Sequence, residues 1–423
     1  MFATLCWLGI VVSQSAAADD ALGAEVRRLV RQLDAPQLAQ RDAAEAGLLK
    51  LGPGALDLLP AIDDRTPAEI AQRLGRVRHK LQQAMAQAAT QTARVTLQGD
   101  GMPLSQVLAA IQEQTGNKIV DSRARTGEPG LDRELKVDFR QTPFWQALDQ
   151  VLDQAELTLY PFPEEKAIHL VPRPESHLPR AGRACYAGPF RLEPVRVSAE
   201  RDLRNPVNKA LGVTVEITWE PRLGPISLQQ RMADVVAVDD AGNPLPVGSE
   251  EAELEIPVEP EAVAKEVRIP LGLPPRQVRK IARLAGTFSA LVPGKVQTFR
   301  FRDLEKANEV AERVAGVTVT LEGARRNNQV WEVRVRVRFD EASGALQSHR
   351  GWIFENEAFL EDPEGRPVVP GAFETTRQTN NEVGVAYLFR PQRPLADYTF
   401  VYKTAAAILS TEFRYEMRDI PLP

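Results

Sequence analysis

The chain has 423 residues, of which 43% are hydrophobic and 26% charged, and its formal net charge is −5. That length exceeds what a single core serves, so several domains are expected. The apolar share excludes a disordered chain, and the weakly acidic balance excludes wholesale nucleic-acid binding, which needs a basic field.

Residues 1–18 read as an export signal. Leu5 to Val12 is a short apolar run, and Ser15-Ala16-Ala17-Ala18 offers a small-residue cleavage site before Asp19-Asp20. No Lys or Arg precedes the run, so the positive flank is missing, and the alternative is a disordered or buried tail. The run is too short for a spanning helix and no long apolar stretch follows, so the mature chain is expected to lack a transmembrane segment. Cleavage removes Cys6 and leaves Cys185 alone, which excludes an internal disulfide. With no His or basic residue at a motif-like spacing, Cys185 reads as a small buried hydrophobe more than as a reactive thiol.

Residues 20–92 carry helical patterns. Val26, Leu29, Val30 and Leu33 share one face, and Asp34-Ala35-Pro36 interrupts it. A second helix with Ala43, Ala44, Leu48 and Leu49 stops at Gly52-Pro53-Gly54, and a third is expected through Ala55, Leu56, Leu59 and Ile62. A fourth starts at Thr66-Pro67, where Thr66 and Glu69 suggest a capping box, and carries Ile70, Leu74, Val77 and Leu81. The run from Arg41-Asp42-Ala43-Ala44 through Leu48, Leu51-Gly52, Ala55 and Leu59 resembles a HEAT repeat. One unit is too few for a solenoid, so the resemblance implies a helical cap or docking bundle.

Residues 93–172 contain a duplication. Val95-Thr96-Leu97, Met102-Pro103-Leu104, Val107-Leu108 and Ile111 are echoed by Val137-Asp138-Phe139, Thr142-Pro143-Phe144, Ala147-Leu148 and Val151-Leu152. The helix starts at Pro103 and Pro143 lie 40 residues apart (143 − 103). Each copy has a short strand and then apolar residues at helical spacing. A closing hairpin is expected from Leu157–Tyr160 and Ala167–Val171 around Pro161 to Glu165. The order β-α-β-β-α-β-β, with these residues and Thr115-Gly116-Asn117-Lys118-Ile119, resembles the short N-terminal module of secretins and signalling TonB-dependent receptors. The resemblance implies a small envelope interaction module without catalytic residues, which associates through strand edges and helix faces. No secretin pore domain or receptor plug and barrel follows, so a membrane-pore function is not implied.

Residues 173–182 read as a proline-marked linker. Beyond it the chain is mostly β. Val213, Val215, Ile217 and Trp219 alternate with polar residues, and so do Val333, Val335, Val337 and Phe339. The turns Asp239-Asp240-Ala241-Gly242-Asn243 and Asp362-Pro363-Glu364-Gly365 correspond, and both halves end alike, at Phe299 to Leu304 and Phe413 to Ile420. Two tandem immunoglobulin-like sandwiches are expected, at 183–304 and 305–423, joined by a helical stretch from Leu304 to Val314. The fold class expected is thus multidomain α+β: a helical bundle, the small duplicated module and two all-β sandwiches.

Standard catalytic motifs are absent. His79, His169, His177 and His349 are scattered, without the paired ligands that begin a zinc site. The adjacent Asp239-Asp240 suits a hairpin turn better than a calcium loop. Neither a cofactor nor a metal is expected. Arg334, Arg336 and Arg338 form a cationic stripe that suits an anionic polymer or an acidic partner, unless acidic neighbours neutralise it. Trp219 and Trp331 are in phase with core valines. Trp145 matches Ser105 of the first copy, a solvent position, and is the candidate exposed contact residue. These features imply a non-catalytic exported adaptor that binds envelope proteins, by strand addition among other modes. The alternatives are a binder of cell wall or anionic polysaccharide acting through the sandwiches, and a hydrolase whose carboxylate pair only the fold brings together.

Overall fold

The computed structural model describes residues 10–60, 62, 66–126, 130, 132–160, 165–259, 261–293, 295–314, 316–328, 330–340, 345–346, 351–406 and 408–423. Residues 1–9 of the expected export signal, most of the turn at 161–165, and His349 lie outside them. The fold is mixed α+β, mostly strands in antiparallel sheets. It divides into two units, Met1–Ala88 with Gly294–Gln347 and Asn356–Leu409, and Ala89–Pro293 with Ser348–Glu355 and Ser410–Pro423.

The helices α1 (Ile10–Gln32), α2 (Leu38–Lys50) and α3 (Ala68–Thr90) bury the residues their periodicity predicts, among them Val26, Leu29, Leu33, Ala44, Leu48, Leu74, Val77 and Leu81. Gly47 lets α2 approach α1, since a Cβ there would stand 2.9 Å from a Leu29 methyl. Arg73, 6% exposed, ties α3 to α2 through Asp42 and Glu45, both at 2.8 Å. The third expected helix is only a 3-10 turn, Pro53–Leu58, because Pro60 cannot continue it.

The duplicated stretch forms β1 (Arg94–Pro103), α4 (Leu104–Thr115), β2 (Ile119–Asp121), β3 (Glu134–Pro143), α5 (Phe144–Ala155), β4 (Leu157–Leu159) and β5 (Ile168–Pro172). β1 pairs antiparallel with β3, while β5 lies parallel to β2 and antiparallel to β4. Both helices and both sheets share one core, with Val95, Val107, Ile111, Val137, Phe139, Phe144, Leu148, Val151 and Leu170. Hydrogen bonds join the copies reciprocally. The Leu104 N–H donates to the Arg133 carbonyl and the Phe144 N–H to the Ala93 carbonyl, both at 2.8 Å. The Gln114 amide pairs with the Thr96 backbone, and the Gln154 amide pairs with the Lys136 backbone in the same way. Every one of these equivalences is an offset of 40, so Val95 corresponds to Leu135. The sequence comparison, which set Val95 against Val137, is two residues out of step along the strand, because alternation repeats every second residue and fixes a face without fixing register.

The next strands are β6 (Cys185–Ala187), β7 (Phe190–Arg201), β8 (Lys209–Trp219), β9 (Ser227–Arg231), β10 (Val236–Asp239), β11 (Pro244–Leu245), β12 (Glu253–Pro257), β13 (Ala264–Leu271) and β14 (Lys280–Val292). One sheet has the order β13-β8-β7-β6, and in the other β14 pairs with β10 and β9. Phe190, Val213, Val215, Trp219, Leu284 and Phe288 lie in the core the two sheets share.

The remaining strands are β15 (Lys295–Phe301), β16 (Val310–Val314), β17 (Val317–Asn327), β18 (Val330–Phe339), β19 (Ala358–Glu361), β20 (Pro367–Val368), β21 (Ala372–Gln378), β22 (Glu382–Phe389), β23 (Thr399–Ala406) and β24 (Leu409–Pro421). They give the sheets β15-β23-β19-β20 and β16-β17-β18-β22-β21, whereas β24 pairs with β14. The alternating valines of β8 and β18 are buried as expected. The helix expected over Leu304 to Val314 is instead a turn followed by β16, whose ladder with β17 overrides the local helical composition. The two Asp turns form matching hairpins. The Asp239 carboxylate accepts from Ala241 and Asn243 N–H, and that of Asp362 from Glu364 and Arg366 N–H.

Candidate functional site

Trp145, Asp149 and Asp153 recur at i, i+4 and i+8 and so form a second stripe on α5, beside its core face. Trp145 is not the exposed residue expected. It is 1% exposed, and its indole N–H donates to the Pro189 carbonyl at 3.0 Å. The first copy has no such neighbour at Ser105, so homology between copies could not foretell the burial.

One turn on, the fully buried Asp149 carboxylate accepts from Arg180 Nε at 3.0 Å, Arg191 Nε at 2.7 Å and the Tyr186 hydroxyl at 2.7 Å. Arg191 also meets Glu193 at 2.6 Å. Burial pulls the Arg191 guanidinium down, but Asp149 and Glu193 outweigh it and hold the group firmly cationic. Burial, then Asp149, pushes the Tyr186 hydroxyl far up, so it remains a donor. Asp153 accepts from the Arg180 and Ala181 N–H groups at 2.8 Å and pairs with Arg173 at 2.6 Å. A second buried knot joins the same two parts of the chain. Glu220, fully buried, accepts from Asn117 Nδ2 and the Ala93 N–H at 3.0 Å and from Arg222 Nε at 2.7 Å. The module is therefore locked to the strands that follow it. Sequence reading missed Asp149, although its helical spacing from Trp145 is a signal.

What the module leaves outward is the β1–β3 sheet. Neither strand has a second strand partner among the described residues. Thr96, Gln98, Asp100, Glu134, Lys136, Asp138 and Arg140 are exposed, and Lys136–Asp100 and Arg140–Asp138 are ion pairs across or along it. The two glutamine amides occupy one backbone site on each strand, at Thr96 and Lys136.

No known protein family, no curated protein and no solved structure matches this chain.

A cleft of about 960 Å³ is lined by Tyr160, Arg180, Glu193, Glu216, Thr218 and Lys265, among others. Glu193 on β7 stands directly across from Glu216 on β8. Glu216 is also opposite Glu266 on β13. Burial raises the Glu216 carboxyl above the ordinary range, against the pull of Arg180 and Arg191. Cys185 is half-buried, its Sγ accepts from the Glu416 N–H at 3.4 Å, and burial raises its thiol, which suits an inert residue.

The arginine stripe meets acidic neighbours. Arg334 pairs with Glu332 at 2.5 Å, Arg336 pairs with Glu309 at 2.5 Å and lies 3.6 Å from Glu322, and Arg338 is exposed across the ladder from Glu382. Trp331 is half-buried and Trp219 fully buried. His79 and His177 are exposed. His169 is buried with Nδ1 2.9 Å from the Ser122 hydroxyl. Among the described residues no group of three or more His, Cys, Asp and Glu side chains is placed to hold a metal, and no helix is long and apolar enough to cross a membrane.

Proposed function

We propose that this chain is a non-catalytic exported adaptor of a bacterial cell envelope. In this reading residues 93–172 are a module like the short N-terminal module of secretins, the preceding helices are a HEAT-like cap, and the β regions are immunoglobulin-like supports. The observation that carries it is the two-stranded β1–β3 sheet, whose outer edges have no strand partner among the described residues. Such an edge pairs with an extended segment of another protein through backbone hydrogen bonds. The buried Asp149 and Glu220 knots support the same reading, since a docking surface held rigidly loses less entropy on binding. The test is cross-linking in envelope extract with Thr96→Pro and Lys136→Pro, each of which deletes an edge N–H that the Gln114 or Gln154 amide holds in this chain and that an incoming strand would take over. Loss of the partners captured by the parent is expected in at least one variant. Undiminished capture by both refutes strand addition.

A hydrolase is the second reading, and one observation favours it. Glu193 and Glu216 stand opposite on neighbouring strands and line one cleft; the Cβ atoms of such a pair are roughly 4.5–5.5 Å apart, which puts the ~5–5.5 Å carboxyl separation of a retaining pair within reach of the two side chains. Turnover of a glycan panel by the parent, abolished by Glu216→Gln, would establish it. No turnover on any member removes it.

A further inference from the structure

The last strand of each β half is housed in the sheet of the other half. Phe299-Arg300-Phe301-Arg302-Asp303-Leu304 and Tyr415-Glu416-Met417-Arg418-Asp419-Ile420 match in apolar and polar order, with the charge reversed only at Arg300 and Glu416. Phe299, Phe301 and Leu304 are buried, and so are Tyr415, Met417 and Ile420. Asp303 and Asp419 both take a left-handed backbone, with φ of 52° and 54°, a conformation uncommon outside glycine. β15 and β24 are therefore equivalent elements.

Only Pro293 and Gly294 separate β14 from β15, and only Ala407 and Ile408 separate β23 from β24. Two residues are the commonest hairpin length, so each strand had a local partner within reach. Neither takes it. β15 pairs along its length with β23, from Lys295 opposite Ala406 to Phe301 opposite Phe400. β24 pairs with β14, where the Leu422 N–H donates to the Arg279 carbonyl at 2.9 Å and Glu416 meets Arg283 at 2.9 Å. The seat is shaped for this strand. The Tyr415 hydroxyl donates to Gln230 Oε1 at 3.0 Å, and a Cβ on Gly286 would come within 2.5 Å of that hydroxyl.

We propose that the β14 edge is a strand-acceptor site whose partner is the β24 strand of a second copy of this chain. The exchange seen within one chain would run between two. It replaces each contact by an identical one, so the cost is that of association alone, and the fit of Phe413, Tyr415, Met417 and Ile420 to the core is already demonstrated within the chain. The adaptor reading plays no part in this inference.

The test uses full-length chains with both cysteines replaced by serine. One carries Arg283→Cys and the other Glu416→Cys, at exposed and half-exposed positions. They are unfolded, mixed, refolded together and treated with a short bismaleimide. A covalent heterodimer joined at 283 and 416 is the expected product, absent when Asp138→Cys replaces Glu416→Cys as partner. Monomer alone from the mixture, while the Arg283→Cys/Glu416→Cys double variant closes within one chain, overturns the proposal. A labelled peptide of residues 409–423 supplies an independent reading: the parent refolded in its presence retains the label if the edge accepts the strand in trans, and emerges unlabelled if it does not.

Discussion

Replacing Asp149 by alanine tests whether the module is locked to the strands that follow it. The carboxylate is fully buried and is shared by Arg180, Arg191 and Tyr186. Truncation leaves two guanidinium groups sharing a buried site, with Glu193 as the remaining carboxylate on Arg191. Breaking a buried ion pair by removing one partner costs about 3–5 kcal/mol, and the stranded Tyr186 hydroxyl adds roughly 1 kcal/mol. The total of about 4–6 kcal/mol is roughly a quarter or more of the stability of an ordinary domain. For a unit of this size it lowers the melting temperature by roughly 8–24 °C. Thermal unfolding followed by circular dichroism and tryptophan fluorescence reads the change, with Trp145 on the same helix as an internal reporter. Asp149→Asn, which keeps the acceptor and loses the charge, should fall between. Asp149→Leu with Arg191→Leu should cost less than the sum of the single changes, because the unpaired charge is removed with its partner. A melting point for Asp149→Ala within about 2 °C of the parent, matching an exposed Asp138→Ala control, refutes the argument that these buried bonds hold the module in place.

Two further outcomes follow from charge placement. The raised carboxyl of Glu216 means that the folded chain binds this proton more readily than the unfolded chain does. Its contribution is favourable below the ordinary carboxylate range and is lost as pH rises through the folded value. Glu216→Gln should therefore raise the melting temperature at pH 7, and the gain should shrink as pH falls through the raised folded value toward the ordinary carboxylate range; a gain that is constant with pH contradicts the burial argument. For the arginine stripe, the acidic neighbours of Arg334 and Arg336 lead us to expect that residues 334, 336 and 338 changed together to alanine leave retention on an anionic glycan column unaltered. Salt-sensitive retention by the parent that the triple change removes would restore the polymer-binding alternative.

The two strand exchanges show why some features were legible and others were not. The burial of Val213, Val215, Val333 and Val335 is a local statement, repeated every two residues, and it survives any choice of sheet partner. The same alternation is silent about which strand lies alongside. β15 and β24 were recognised as equivalent endings, and their sheets were still interchanged, since both sheets offer the same kind of edge. The expected helix over Leu304 to Val314 failed for the same reason: a short charged segment takes its conformation from the ladder available to it, here β17.

Amino-acid order alone determined the helical stripes of Val26 to Leu81, the duplication about Pro103 and Pro143, the alternation of the β halves and the two Asp turns. The stripes, the alternation and the turns are each carried by a window of a dozen residues or fewer, where period and turn chemistry are sufficient, and the duplication by the return of one such pattern 40 residues on. Only the tertiary structure decided that Trp145 faces Pro189, that Asp149 gathers Arg180, Arg191 and Tyr186, that Glu193 stands across from Glu216, and that β15 and β24 change places. Those are pairings between segments far apart in the chain, chosen by competition among similar surfaces for burial and for hydrogen bonds, and no local pattern encodes the winner.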